Sequence, residues 1–278
     1  MQHFENILYC PFGERGNETA MRRIIHLAGG RHPKIHLLDV VPPGQRHVAR
    51  RSLVDLARLH PATKDVEVEM SVESGNRTDA IAGRIEECGH DLVVITPEDD
   101  SGAQKATARL VRECRIPLLV LRSNPYRNER VLAAVNPTSR RRELNIEVLA
   151  ASRLVADRLD CELDVVHAWQ LYGEPGMRDS GYVQVGDEEI EAKLAIEREI
   201  RRVELEKMLT DPRVGFEPGQ THLPKGRMVP SVAQVVRHVH ASMLVVGSAG
   251  RTGWRRLVMG NSAEKLVEEV PCSVMVVS

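Results

Sequence analysis

A chain of 278 residues, 42% hydrophobic and 28% charged, is long enough for two ordinary domains and apolar enough to pack them, which excludes a disordered polymer. A formal net charge of −1 and only 3% aromatic residues exclude a strongly basic, base-stacking surface, so no nucleic-acid partner is expected. No segment approaches the ~20 apolar residues of a membrane helix, and Met1 to Asn6 lacks the regions of a signal peptide, so the expectation is a cytoplasmic protein with no membrane partner.

In chain order, Asn6 to Cys10 predicts a strand, Glu14 to Leu27 a helix, Ile35 to Val41 a strand and Arg46 to Leu59 a helix. Arg77 to Cys88 predicts a helix, Asp91 to Ile95 a strand, Thr107 to Cys114 a helix and Ile116 to Leu121 a strand. The pattern then starts again. Strand-like runs at Arg130 to Val135, Leu163 to Trp169, Ser242 to Val246 and Cys272 to Val277 match the four earlier runs in the same order. Helical patterns at Arg141 to Leu159, Asp187 to Leu209, Val229 to His238 and Ser262 to Val270 alternate with them, and Pro230 suits a first helical turn. The strands are continuous apolar runs, as strands covered on both faces are. Strands alternating with helices predict an α/β fold of two tandem doubly wound domains. Each is a five-stranded parallel Rossmann-like sheet with helices on both faces. The domains are 1–123 and 130–278, with the polar, proline-containing stretch 124–129 as linker. Ligands of such sheets bind at the carboxyl ends of the strands, at the switch point.

The most informative stretch runs from Gly247 to Lys265 (GSAGRTGWRRLVMGNSAEK), between a strand and a helix. Glycines permit tight turns and close approach to a ligand. The N-terminus of the following helix favours an anion, and Arg251, Arg255 and Arg256 add positive charge. The pattern Gly247-x2-Gly250-x9-Gly260, then Asn261-Ser262 and Ala-Glu-Lys, resembles the nucleotide loop of the universal stress protein family. It is most similar to that of the tandem two-domain members. Here Asn261 stands directly after the third glycine, where ATP-binding members have Ser or Thr, and Ser262 comes one later. The resemblance covers nearly the whole second half and implies an adenine nucleotide (ATP or AMP), or a similar anionic ligand, held without a metal. The implied binding residues are Val135, Asn136, Pro137, Ala168, Gly247, Gly250, Arg251, Met259, Gly260, Asn261 and Ser262. Asn136 replaces the family's Asp after the first strand. The adenine is implied against the backbone near His167, Ala168 and Trp169. The resemblance further implies an intramolecular pseudo-dimer through the closing strands and further association of two chains.

The first half shares the strand order but not the loop. Thr96 to Gly102 is shorter, with one glycine and three carboxylates that would repel a phosphate, and Pro11-Phe12-Gly13 replaces the acidic position. This half is expected to be a degenerate copy. The segment Gln170 to Gln184, with two tyrosines, reads equally as a lid or as a surface insertion. Arg140, Arg141 and Arg142 read as a solvated helix start, and His238 and His240 as a surface pair. His167 reads either as a ligand contact or as a satisfied buried histidine. The five scattered cysteines read as reduced thiols, with Cys10 and Cys272 in the core. No catalytic base or metal-ligand motif is found. The function expected is a stress-response binding protein. The alternatives are a scaffold or small-molecule carrier without nucleotide, and a weak ATPase.

Overall fold

A computed structural model describes residues 3–12, 16–42, 44–58, 66–97, 101–126, 128–179, 186–248 and 262–278. Its strands are β1 (Asn6–Pro11), β2 (Lys34–Val40), β3 (Glu67–Glu73), β4 (Leu92–Thr96), β5 (Leu118–Val120), β6 (Arg130–Ala134), β7 (Glu162–Val166), β8 (Thr221–His222), β9 (Met243–Gly247) and β10 (Ser273–Val277). Its helices are α1 (Asn17–Leu27), α2 (Arg46–Arg58), α3 (Arg77–Cys88), α4 (Ser101–Glu113), α5 (Arg142–Leu159), α6 (Glu174–Asp179), α7 (Asp187–Leu209), α8 (Met228–His238) and α9 (Ser262–Glu269).

The strands form one ten-stranded sheet in the order β3-β2-β1-β4-β5-β10-β9-β6-β7-β8. Each half contributes five parallel strands in the same relative order. Among the described residues one antiparallel pair, β5 with β10, joins the halves, with Met275 opposite Leu119. The expected α/β fold is therefore present, and its two five-stranded sheets meet edge to edge.

Alternation along the strands sends side chains into two apolar layers. Tyr9, Leu37, Val94, Ala133, Val165 and Val245 face α1, α2, α5 and α7. Leu8, Leu38, Val93, Leu132, Val166 and Leu244 face α3, α4, α8 and α9. Both layers cross the seam, so burial that stabilises one half also stabilises the other. Cys10 and Cys272 lie in the second layer, and burial pushes their thiols up to about 12, which keeps them inert. Polar struts reinforce the seam. Arg112 of α4 pairs with the largely buried Glu264 of α9 at 2.7 Å, and Arg122 donates to the Val267 carbonyl near the C-terminal end of α9 at 2.7 Å.

Several element ends have local causes. The Asn76 side chain accepts from the amides of Thr78 and Asp79, and Gly89 at φ 64° closes the other end of α3. Gly16, at φ 74°, delays α1 to Asn17, three residues after the expected start. Helix α4 begins at Ser101 rather than Thr107. Strands β3 and β8 complete each half's five and have no counterpart among the expected runs. β3 is an edge strand of alternating glutamates, and β8 spans two residues.

Candidate functional site

The switch points lie between β1 and β4 in the first half and between β6 and β9 in the second. The in-register pairs Leu8 with Val93 and Leu132 with Leu244 superimpose them. Tyr9 then corresponds to Ala133, Phe12 to Asn136 and Thr96 to Gly247.

In the first half these positions are filled. The Tyr9 hydroxyl donates to Asn17 Oδ1 at 2.9 Å and lies 3.3 Å from Thr96 Oγ1. Phe12 is 3% exposed, and the Arg77 guanidinium sits over its ring, 4.5 Å from the centroid. Burial raises the Asp39 carboxyl above its ordinary range, against the opposing pull of Arg77.

In the second half the same places carry smaller residues, of which Asn136 is exposed. Val135 is buried, and its amide donates to the Val166 carbonyl at 3.0 Å. Asn136 is exposed. Its amide donates to Asn145 Oδ1 at 2.8 Å, and Asn145 Nδ2 returns a bond to the Asn136 carbonyl at 3.0 Å. The Asn136 side-chain oxygen accepts from the Thr138 hydroxyl at 3.0 Å, a local turn in which Pro137 is half-buried. Gly247 ends β9 against α5. A β-carbon there would lie 2.9 Å from Leu144 Cγ, so this glycine permits close helix–strand packing. Ser262, exposed, begins α9. Gly250, Arg251, Met259, Gly260 and Asn261 lie outside the described residues.

At the end of β7 the backbone is partly engaged. His167 N–H donates to the His222 carbonyl, and Trp169 uses its amide on Pro224 and its carbonyl on the Gly226 amide. Of the three positions expected to face an adenine, Trp169 is thus committed to the loop before α8, and its ring is buried with Ile190 and Leu194. Ala168 is half-buried. His167 is buried, with Nδ1 bonded to the Val135 carbonyl at 3.1 Å and Nε2 without a partner. Burial lowers its pKa below the ordinary 6.5, so the ring is neutral at pH 7.

The model of the universal stress protein family matches residues 128–278, more than half of the chain. The chain belongs to the universal stress protein family. Relatives extend the likeness beyond the second half. A universal stress protein E homolog of Haemophilus influenzae is 25% identical over 77% of this chain and 71% of its own length. Universal stress protein E of Escherichia coli K12 is 21% identical over 100% of this chain and 95% of its own. Among solved structures, a functionally unknown protein from Pseudomonas aeruginosa PAO1 matches with a TM-score of 0.73 at 20% identity, covering 99% of this chain and 93% of that one. A universal stress protein from Archaeoglobus fulgidus matches with a TM-score of 0.63 at 16% identity, covering 99% and 97%. These structures share the universal stress protein fold.

Within this family member the remaining motifs resolve simply. Arg142 pairs with Asp211 at 2.9 Å, and Arg140 and Arg141 are exposed at the start of α5. His238 and His240 are exposed, and the His240 ring packs on Tyr126, 5.0 Å between centroids. The segment after Trp169 contains α6, and Leu171 and Met177 pack on the Trp169–Ile190–Leu194 cluster while Tyr172 is 96% exposed. No helix among the described residues is long and apolar enough to cross a membrane.

One feature escaped sequence reasoning. A cavity of about 990 Å³ lies between α1, α4 and α9, beside the seam. Arg23, Thr96, Thr107, Arg122 and Glu268 help to line it. Thr107 Oγ1 is buried there without a partner. Its lining comes from both halves, so neither repeat shows it alone.

Proposed function

We propose that this chain is a non-catalytic stress-response binding protein. Residues 130–278 form a domain that takes an adenine nucleotide, ATP or AMP, or a similarly anionic small molecule, at the carboxyl ends of β6, β7 and β9. Residues 1–123 form a degenerate copy, joined through 124–129. The observation that carries this reading is the contrast in bulk at matched positions: Ala133, Asn136 and Gly247 in one half, Tyr9, Phe12 and Thr96 in the other. The glycine-rich sequence that begins at Gly247 leads to the N-terminus of α9, whose amides and dipole favour an anion. The edge-to-edge union of β5 and β10 supports reading the chain as an intramolecular pseudo-dimer.

The test is to denature the purified full-length protein and identify the released small molecules by mass spectrometry. The expected result is one adenine nucleotide per chain, lost when Gly250 and Gly260 are both replaced by bulky residues. An empty protein that also shows no thermal shift with ATP would remove the nucleotide from the account. Phosphate release from ATP that disappears in the Gly260 variant would replace binding by hydrolysis.

A second reading is a small-molecule carrier without nucleotide, and the seam cavity favours it, since about 990 Å³ suits a drug-sized ligand. Ala108, which lines that cavity, distinguishes the two. Ala108→Trp would expel a carrier ligand and leave a nucleotide at the second-half switch point in place.

A further inference from the structure

At the opposite end of the sheet from the switch points, three side chains of the first half converge. His36 is the third residue of β2, Cys88 is the last residue of α3, and His90 follows two residues later, just before β4. One nitrogen of each imidazole and the Cys88 sulfur lie within 4.8 Å of one another. His36 and His90 are 6% and 4% exposed, and their rings stand 5.4 Å apart.

The hydrogen bonding around this cluster is one-sided. His90 Nδ1 lies 3.1 Å from the Arg84 carbonyl, which can only accept, so the proton is on Nδ1 and the lone pair on Nε2. His36 Nε2 lies 2.7 Å from Ser71 Oγ. The remaining atoms, His36 Nδ1 and His90 Nε2, are buried with no partner. Two unpaired buried nitrogens in one place are costly unless something binds them. A ring held through one nitrogen, with the other left free, is the arrangement that orients a histidine ligand toward a metal. The backbone that carries the thiol is also fixed, because Asn6 Nδ2 donates to the carbonyls of Cys88 (2.8 Å) and Gly89 (3.3 Å). Arg84 hydrogen-bonds the Cys88 side chain, and its charge is offset by Glu73 at 2.7 Å and Glu87 at 3.3 Å.

The corresponding place in the second half is satisfied without a ligand. The register pairs Leu8 with His36 and Leu132 with Asp164. Buried Asp164 accepts from Arg130 at 2.8 Å, from the Gln220 amide at 2.9 Å and from His222 at 3.2 Å. The first half puts a histidine at this position and leaves its Nδ1 unpaired.

We propose that His36 Nδ1, His90 Nε2 and the Cys88 thiolate bind one zinc ion, with water in the fourth position. Two imidazoles and a thiolate are a zinc donor set, and tetrahedral bonds of ~2.0–2.3 Å place donors roughly 3.3–3.8 Å apart, so the cluster closes by about 1 Å on binding. Cys88 is exposed, which gives the ion a way in, and its thiol loses its proton to water as the Zn–S bond forms. The ion ties β2 to the turn between α3 and β4.

Full-length protein stripped with a chelator is titrated with zinc against a chromophoric competitor, and with cobalt(II) as a spectroscopic probe. The expected result is one metal per chain and a thiolate-to-cobalt charge-transfer band. Cys88→Ser, at an exposed position, keeps the native circular dichroism and loses the band. Cys88→Ser and His90→Gln each weaken zinc binding by at least the ~10–100-fold that loss of an outer-shell partner costs. Substituting both His238 and His240 by Gln changes neither affinity nor band. Failure of the native chain to take up zinc, or uptake and a cobalt band indifferent to Cys88→Ser, would overturn the proposal.

Discussion

The two halves share one topology and differ at both ends of the strands. At the carboxyl ends, Tyr9 and Phe12 fill the first-half switch point, and Thr96, which lies 3.3 Å from the Tyr9 hydroxyl, also lines the cavity beside the seam. In the second half the matched residues are smaller: Ala133 is buried in the core, Gly247 lets α5 pack closely, and Asn136 is exposed. At the amino ends the relation reverses. The second half fills its interior with the Asp164–Arg130–His222 network, and the first leaves two imidazole nitrogens unpaired. A duplicated fold keeps its apolar layers and places its unsatisfied polar groups differently in each copy, and those groups are where ligands are to be sought.

The largest expected effect is on this second-half network. Asp164→Ala leaves the Gln220 amide and His222 without their buried acceptor, while Arg130 keeps Glu162, and is expected to cost about 3 kcal/mol in urea denaturation. His36→Ala, at the matched position, removes a ring with an unpaired nitrogen and is expected to cost clearly less in metal-free protein. Equal losses would mean that the two positions are not distinguished as described.

Exchanging the switch-point residues comes next. Gly247→Thr puts the first-half residue into the second half, where its β-carbon meets Leu144, and is expected to cost roughly 1–3 kcal/mol by overpacking. The converse, Thr96→Gly, loses the bonding with Tyr9 and Asn17 and adds backbone freedom, at roughly 1–2 kcal/mol. Chemical denaturation of both variants checks the pair.

The pH dependence is smaller and is directional. Burial holds the pKa values of His36, His90 and His167 below the ordinary 6.5. Below 6.5 the unfolded chain takes up protons at these positions before the folded chain does, so these three groups lower stability as pH falls through and below 6.5. Melting temperature is expected to drop on acidification from about pH 7 to about pH 5, and His167→Gln to reduce that drop. The stability that bound zinc adds at neutral pH is lost on acidification as protons compete for His36 and His90, so the fall with pH is steeper in its presence. The smallest effect is at the exposed Arg153–Asp157 pair, where Arg153→Ala is expected to stay within about 0.5 kcal/mol.

Much of the fold is legible in the sequence because its strands are unbroken apolar runs and its strand pattern repeats. Helix α3 matches its expected limits because Asn76 and Gly89 mark them in local chemistry. β3 is hidden because Glu67, Glu69 and Glu73 alternate along an edge strand, and β8 because two residues carry no period. The early start of α4 is masked by acidic and glycine residues that read as loop. At the site, the glycine spacing and Asn136 are visible in sequence. The commitment of the Trp169 backbone to Pro224 and Gly226 is not, since it depends on a loop far along the chain. The His36–Cys88–His90 cluster is equally hidden, because the parallel sheet brings together residues that no short motif connects.

The asymmetry between the switch points is tested most directly by isothermal titration of ATP into nucleotide-free, full-length protein, alongside Asn136→Phe, which places the first-half residue at the exposed second-half position. The expected result is one binding site per chain and no binding heat in the variant at unchanged melting temperature. Two sites per chain, or binding undiminished by Asn136→Phe, would contradict it.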